Sequence, residues 1–278
     1  MRSSPSSRLS RRTLLRGGLC CLGAAAGIDA IAVEPRWLTV SRHEVPVPGL
    51  PAALSGYRIA QLSDLHLTSL GLLHDAVCRE VAAFAPQLVV LSGDAVESET
   101  ALGPLQDLCR RLAAPGRDIV ATLGNWEHWG HVPIPALDAA YARVGARLLL
   151  NESAAISSGP RIVATDDSCS GHDDIAAALS SWAPGPVTLF VTHAPGLIDG
   201  LPPAMPGFAL GLAGHTHGGQ VCAAGKSVWV PPGSGRFREG MYTTRSGPVY
   251  VSRGIGTSVV PVRFTCRPEL PLFRLVQA

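Results

Sequence analysis

Seven side chains able to bind a metal stand where short apolar runs give way to polar or glycine-containing turns: Asp64, His66, Asp94, Asn125, His193, His215 and His217. They offer carboxylate, carboxamide and imidazole but no thiolate, a donor set that suits borderline or hard divalent ions such as Mn, Fe or Zn. Asp64 and His66 are two residues apart, as are His215 and His217, and in a turn such a pair can straddle two ions. Two divalent ions about 3.5–4 Å apart clamp a phosphoryl group and generate hydroxide from water. Each fragment alone is a weak signal. Their order, with each fragment closing an apolar run, is a strong one.

The elements that must position these groups are legible around them. YRIAQLSD, QLVVLSGD and DIVATLGN read as strands, separated by the helical periods of LLHDAVCREVAAFA and PLQDLCRRLAA. Asp64, Asp94 and Asn125 recur at intervals of 30 and 31 residues, the length of a strand-helix unit. That recurrence places them at the carboxyl edge of one sheet, where open α/β folds put their sites. PVTLFVTH and FALGLAGH bring His193, His215 and His217 to the same rim. Further apolar runs, RLLL, PRIVAT, SVWVPP, PVYVSR, VVPVRF and LPLFRLV, make the second half strand-rich, which predicts a second sheet in addition to the first. Residues 34–55 alternate and then fill with proline, as an edge strand leading into the core would.

With 278 residues, 46% of them hydrophobic and 16% charged, the chain can bury a large core and is not disordered. No linker interrupts it after residue 55, so residues 56–278 read as one catalytic domain, preceded by a lead-in over 33–55. The net charge of +2 is misleading: residues 1–32 hold five arginines against Asp29, leaving 18 basic and 20 acidic residues downstream. A nearly neutral body without an aromatic-basic stripe argues against nucleic acid as a partner. Arg11 and Arg12 stand directly before an almost uncharged run that ends in Ala30-Ile31-Ala32. This resembles a twin-arginine signal, so residues 1–32 are expected to engage the twin-arginine export machinery and to place the body outside the cytoplasmic membrane, cleaved or retained as an anchor at the membrane or cell envelope. Five of the seven cysteines lie in the body without a CxxC pair, which indicates neither a zinc-thiolate site nor a dense disulfide framework.

The strings SDLHL, SGD, GN, THAP and GHTHGG, in this order, resemble the motifs of the calcineurin-like metallophosphoesterases across residues 56–276. GHTHGGQ, SRGIGTS and PVRFTCRPEL are similar to the bacterial exported or membrane-associated subgroup. The resemblance implies an α/β fold, a four-layer αββα sandwich of two mixed β-sheets flanked by helices. It also implies hydrolysis of phosphate mono- or diesters by a bridging hydroxide between two divalent ions (Mn, Fe or Zn). Carried over by residue, one ion takes Asp64, His66 and His217, the other takes Asn125, His193 and His215, and Asp94 bridges them and shares in catalysis.

The chain departs from the family at one position. Gly-Asn is usually followed by a histidine thought to protonate the leaving group, whereas here Trp126 follows Asn125. Indole cannot exchange a proton at neutral pH. His128 is therefore the candidate catalytic acid, with His131 in the same loop; otherwise the leaving group must depart unaided or turnover must be slow. Trp126 is a candidate substrate contact by stacking or covering, and Arg253, in a glycine-rich turn, a candidate for substrate phosphate. Glu97 reads as a supporting residue, and Asp166 and Asp167 as turn acids that could face the rim.

Two rival readings remain. A pyrophosphatase acting on a nucleotide-linked sugar-lipid would need an apolar groove beside the site, and no long amphipathic insertion is present to form one. A catalytically weak envelope-binding module of the same fold is favoured by Trp126 and opposed by the complete ligand set.

Overall fold

The computed structural model describes residues 23–157, 159–183, 185, 187–203, 205 and 207–278. Arg11 and Arg12 of the expected signal lie outside them. Among the described residues no helix is long and apolar enough to cross a membrane. The helical turn Asp29–Val33 packs on the body: Ala30 O accepts from Arg263 N (3.0 Å), and the Glu34 carboxylate accepts from Thr265 N (2.8 Å) and Cys266 N (2.5 Å).

An edge strand opens the first sheet. β1 (Thr39–Val47) runs parallel to the last strand, β14 (Glu269–Gln277), which is antiparallel to β2 (Arg58–Leu62). From β2 the sheet continues in parallel through β3 (Leu88–Ser92), β4 (Asp118–Thr122) and the short β5 (Arg147–Leu148). The crossovers contain α1 (Leu72–Phe84), α2 (Leu102–Leu112) and, after a short α3 (Asn125–Trp129), α4 (Ile134–Ala142).

The second sheet contains β6 (Glu152–Ala155), β7 (Arg161–Ala164), β8 (Thr188–Val191), β9 (Leu210–Ala213), β12 (Gly240–Thr244) and β13 (Gly247–Val251). Its order is β12-β13-β9-β8-β7-β6, with both outer pairs antiparallel and the middle parallel. A small hairpin, β10 (Cys222–Ala223) with β11 (Lys226–Ser227), stands apart from both sheets, and α5 (Ile175–Ser180) lies between β7 and β8 in sequence.

Side-chain alternation along the strands explains the layering. On β3, Leu88 and Val90 face Ile162, Leu189 and Leu210 of the other sheet, while Val89 and Leu91 face Val77, Leu105 and Leu108 of the helices. On β8, Leu189 and Val191 point between the sheets and Phe190 points outward, onto Ala178, Phe208 and Phe237. Strands buried on both faces are the continuous apolar runs seen in the sequence. The result is the expected four-layer sandwich of two mixed sheets flanked by helices.

Two runs read as strands are not strands. SVWVPP leaves the hairpin after Ser227 as an irregular loop, and VVPVRF is a bend in which Val259 has φ +64°. Pro231, Pro232 and Pro261 each lack the N–H that a ladder requires, and a β-branched residue in the left-handed region breaks any strand.

Candidate metal centre

The loops after β2, β3, β4, β8 and β9 meet at one rim. Within it Asp64, His66, Asp94, His215 and His217 all have positive φ, between 43° and 70°, which turns each side chain back across its own strand end. Such conformations are strained by about 1–3 kcal/mol each and persist only where neighbours hold them. The hold is visible: Asp64 N donates to Gly93 O (3.1 Å), His66 N to Asp94 O (3.0 Å) and His215 N to Asp64 Oδ1 (2.9 Å). Gly124 is required because a Cβ there would fall on the Asp94 carboxylate, and Gly93 because one would fall on the His193 ring.

All seven predicted ligands are buried, and six of them form two groups that share Asp94. One group is Asp64, His66, Asp94 and His217; the other is Asp94, His193 and His215. His193 Nε2 lies 3.1 Å and His66 Nε2 3.7 Å from Asp94 Oδ2, and His217 Nε2 lies 3.4 Å from Asp64 Oδ1. The Nε2 atoms of His66 and His217 face each other at 3.0 Å. Asn125, at the start of α3, is buried beside Trp126, whose N–H donates to Asp94 Oδ1 (2.9 Å).

These residues fit divalent cations. Asp64 Oδ2 and Asn125 Oδ1 are buried without a hydrogen-bond partner, and buried polar atoms are normally satisfied. The imidazoles are also oriented from behind, as metal-binding histidines are. His66 Nδ1 lies 2.6 Å from Glu97 Oε1, His193 Nδ1 2.9 Å from Ser92 O, and His215 Nε2 2.7 Å from Pro232 O. Each contact engages one ring nitrogen and leaves the other to meet a metal. Glu97 thus supports His66, as the sequence suggested.

Electrostatics separates the individual side chains rather than the two groups. Burial opposes charge on Asp94, but His193 and then His66 attract it, and its carboxyl is held below the usual carboxylate range. Burial, followed by the neighbouring imidazoles, lowers His215 and His217, so both stay neutral, the state that binds metal. Burial also opposes charge on His193, but Asp94 raises it well above the ordinary imidazole value; a metal bound there would displace that proton.

Sequence reasoning missed Glu127. Its buried carboxylate accepts from the N–H groups of Gly124 (2.9 Å), Asp94 (3.1 Å), Ala95 (2.5 Å) and Val96 (3.1 Å), tying the α3 turn to the Asp94 loop. Burial and then the Asp94 charge push it up to about 7, against the pull of these donors. An acid two residues after Asn125, at the end of an apolar strand, was the available signal.

The other candidates are placed differently. Trp126 lines the cavity over the rim and meets His66 and Trp129 edge-on, at centroid distances of 6.0 and 5.8 Å. His128 does not line that cavity: its Nε2 lies 2.8 Å from Asp166 Oδ1 and its ring stacks on His172 at 3.9 Å. His131 is exposed. Arg253 sits 3.4 Å from both Glu239 and Glu269, its stem packed toward Gly218, away from the cavity lining. Asp166 is occupied by His128, and Asp167 caps the turn at Ser170. The five body cysteines are thiols, with Cys109, Cys222 and Cys266 buried.

An apolar groove is present despite the lack of an amphipathic insertion. The two loops misread as strands form it, on either side of the His217 turn.

No protein-family profile matches the chain. It is 30% identical over 283 residues to the uncharacterized metallophosphoesterase YkuE of Bacillus subtilis, covering 96% of this chain and 98% of that protein. It is 27% identical over 282 residues to phosphodiesterase YaeI of Escherichia coli, covering 96% and 100%. With the UDP-2,3-diacylglucosamine pyrophosphatase LpxG of Chlamydia trachomatis it shares 25% identity over 302 residues, covering 87% and 90%. Together with the αββα sandwich and its buried Asp/His rim, these likenesses define a metal-dependent hydrolase. The chain belongs to the metallophosphoesterase family, and its reaction is hydrolysis of phosphoric esters.

Proposed function

We propose that the rim binds two divalent ions, of Mn, Fe or Zn, and hydrolyses phosphodiesters whose leaving group departs without an acid. The observation behind the two-ion reading is that Asp94 belongs to both ligand groups. Asp64, His66 and His217 would hold one ion, Asn125, His193 and His215 the other, and Asp94 would serve both. When bound, the ions supply Lewis acidity, drawing charge from phosphoryl oxygens and acidifying water.

The chain's own residues do the positioning. Glu97, the Ser92 carbonyl and the Pro232 carbonyl keep three imidazoles in one tautomer. Glu127 keeps Asp94 and Asn125 in register, and Trp126 walls the phosphoryl site and excludes water beside it. Among the described residues, the imidazoles lining the cavity are His215 and His217, both committed as ligands. General acid catalysis, worth about 10²–10⁴-fold, therefore has no donor at the Trp126 position, and His128 is turned to Asp166. Leaving groups of low pKa are favoured. That restriction also favours a second reading, cleavage of a diphosphate, in which phosphate departs. The relative named as a pyrophosphatase fits it.

Export through the twin-arginine pathway, with action outside the cytoplasmic membrane, is the reading supported by Arg11-Arg12 and the apolar run after them. The test of function is a series of aryl phosphodiesters of graded leaving-group pKa with the Mn-loaded protein. A rate that falls steeply with leaving-group pKa, and falls equally steeply in His128→Ala, is expected. A flat series that turns steep in His128→Ala would make His128 the acid.

A further inference from the structure

The cavity above the rim holds about 1090 Å³, at the upper limit of the roughly 300–1,000 Å³ typical of small-molecule sites and far more than a phosphoryl group fills. Its floor is Asp94, Asn125, His215 and His217. Its walls are apolar: Trp126 and Trp129 from α3, Val228 and Trp229 from the loop after the hairpin, Val259 and Val260 from the opposite loop. Val228, Trp229 and Val259 are 68%, 63% and 84% exposed. A contiguous apolar surface of this kind marks a binding site. Among the described residues no lysine or arginine lines the cavity, so the wall has nothing with which to receive a second charged group.

One wall is built under strain. Val259 has φ +64°, a true outlier for a β-branched residue, and strain of this kind gathers at ligand clamps. Gln220, just past the His217 turn, holds it there. Its Oε1 accepts from Ser258 N (2.9 Å), and its Nε2 donates to the carbonyls of Ser258 and Val260 (both 3.1 Å). The side chain that pins the apolar loop is thus three residues from a metal ligand, which makes wall and rim one continuous construction.

We propose that this cavity seats the hydrocarbon chain of an amphiphilic phosphoester, an alkyl or acyl chain borne by the part of the substrate that stays on phosphorus. The proposal rests on the phosphoesterase reading. An aliphatic alcohol would leave poorly without an acid, so the chain-bearing oxygen is retained and the other substituent departs. Its bond to phosphorus breaks, a water oxygen bonds phosphorus, and the water's protons divide between the departing group and solvent.

The test is calorimetric binding of n-alkylphosphonates, methyl to decyl and below their micellar concentrations, to the Mn-loaded full chain, beside the matching n-alkanols. Burying a methylene tightens binding by up to about fourfold, so decylphosphonate is expected to bind at least about 100-fold tighter than methylphosphonate. The gradient should shrink to below about tenfold in Val260→Asp and in Trp229→Ala, both exposed positions whose replacement leaves the core intact. Affinity independent of chain length, or a gradient unchanged in both variants, overturns the seat. If alkanols bind as tightly as phosphonates and both series rise with length, the seat stands and the phosphoryl-binding reading of the rim fails.

Discussion

At the rim, five left-handed residues aim polar side chains inward, and hydrogen bonds donated by the N–H groups of Asp64, His66, Asp94 and His215 hold the turns there. At the cavity mouth one left-handed valine aims an apolar side chain outward, and the Gln220 side chain brackets it through Ser258 and Val260. The same backbone conformation serves both regions with opposite chemistry. The rim's strain is offset by burial between two sheets. The mouth is built from loops beside the small β10–β11 hairpin, and Gln220 ties its Val259 loop to the His217 turn. On the proposal made above, the rim carries out the hydrolysis and the mouth selects the ester.

The largest effect should come from the residue shared by both ligand groups. Asp94→Asn is expected to lower kcat on an aryl phosphodiester by more than about 100-fold, beyond the 10–100-fold that loss of an outer support causes. Glu97→Gln removes such a support and should weaken metal affinity by about 10–100-fold, read by chelator competition, with little change in kcat at saturating metal. A change in kcat alone would mean that Glu97 acts on substrate. Glu127→Ala leaves four buried N–H groups without their acceptor; at roughly 1 kcal/mol or more each, the loss of stability should exceed about 3 kcal/mol in denaturant unfolding. His128→Ala should change turnover by less than about threefold, far short of a lost general acid. The smallest effect isolates the mouth: Val259→Gly relieves a strained valine and should raise stability by about 1 kcal/mol, while the selectivity for chain length declines.

The rim was legible because each ligand ends an apolar run, and a strand buried on both faces stops where its side chains turn polar. Asp64, Asp94 and Asn125 could be aligned by spacing alone. The left-handed conformations of Asp64, His66, Asp94, His215 and His217 could not, since aspartate and histidine, though enriched in that region, mostly adopt others. Glu127 escaped notice because an acid beside a ligand looks like any loop acid until its four N–H donors are in place. The mouth was misread for the converse reason. SVWVPP and VVPVRF have strand composition, but their prolines and the twist at Val259 confine pairing to Ser227 of the hairpin and an isolated bridge at Phe264, so apolar residues that read as core became the walls of a cavity. His128 and Arg253 were chosen by residue type from the correct loops, and Asp166, Glu239 and Glu269 turn them aside.

The most direct test of the two-ion rim is Mn stoichiometry by equilibrium dialysis, measured alongside phosphodiester hydrolysis in the wild-type chain, Asp64→Ala and His193→Ala. Two ions per wild-type chain, one in each variant, and activity that appears only with the second ion are predicted. A single ion in the wild type, or full activity in a variant that binds one, would contradict the shared Asp94 centre.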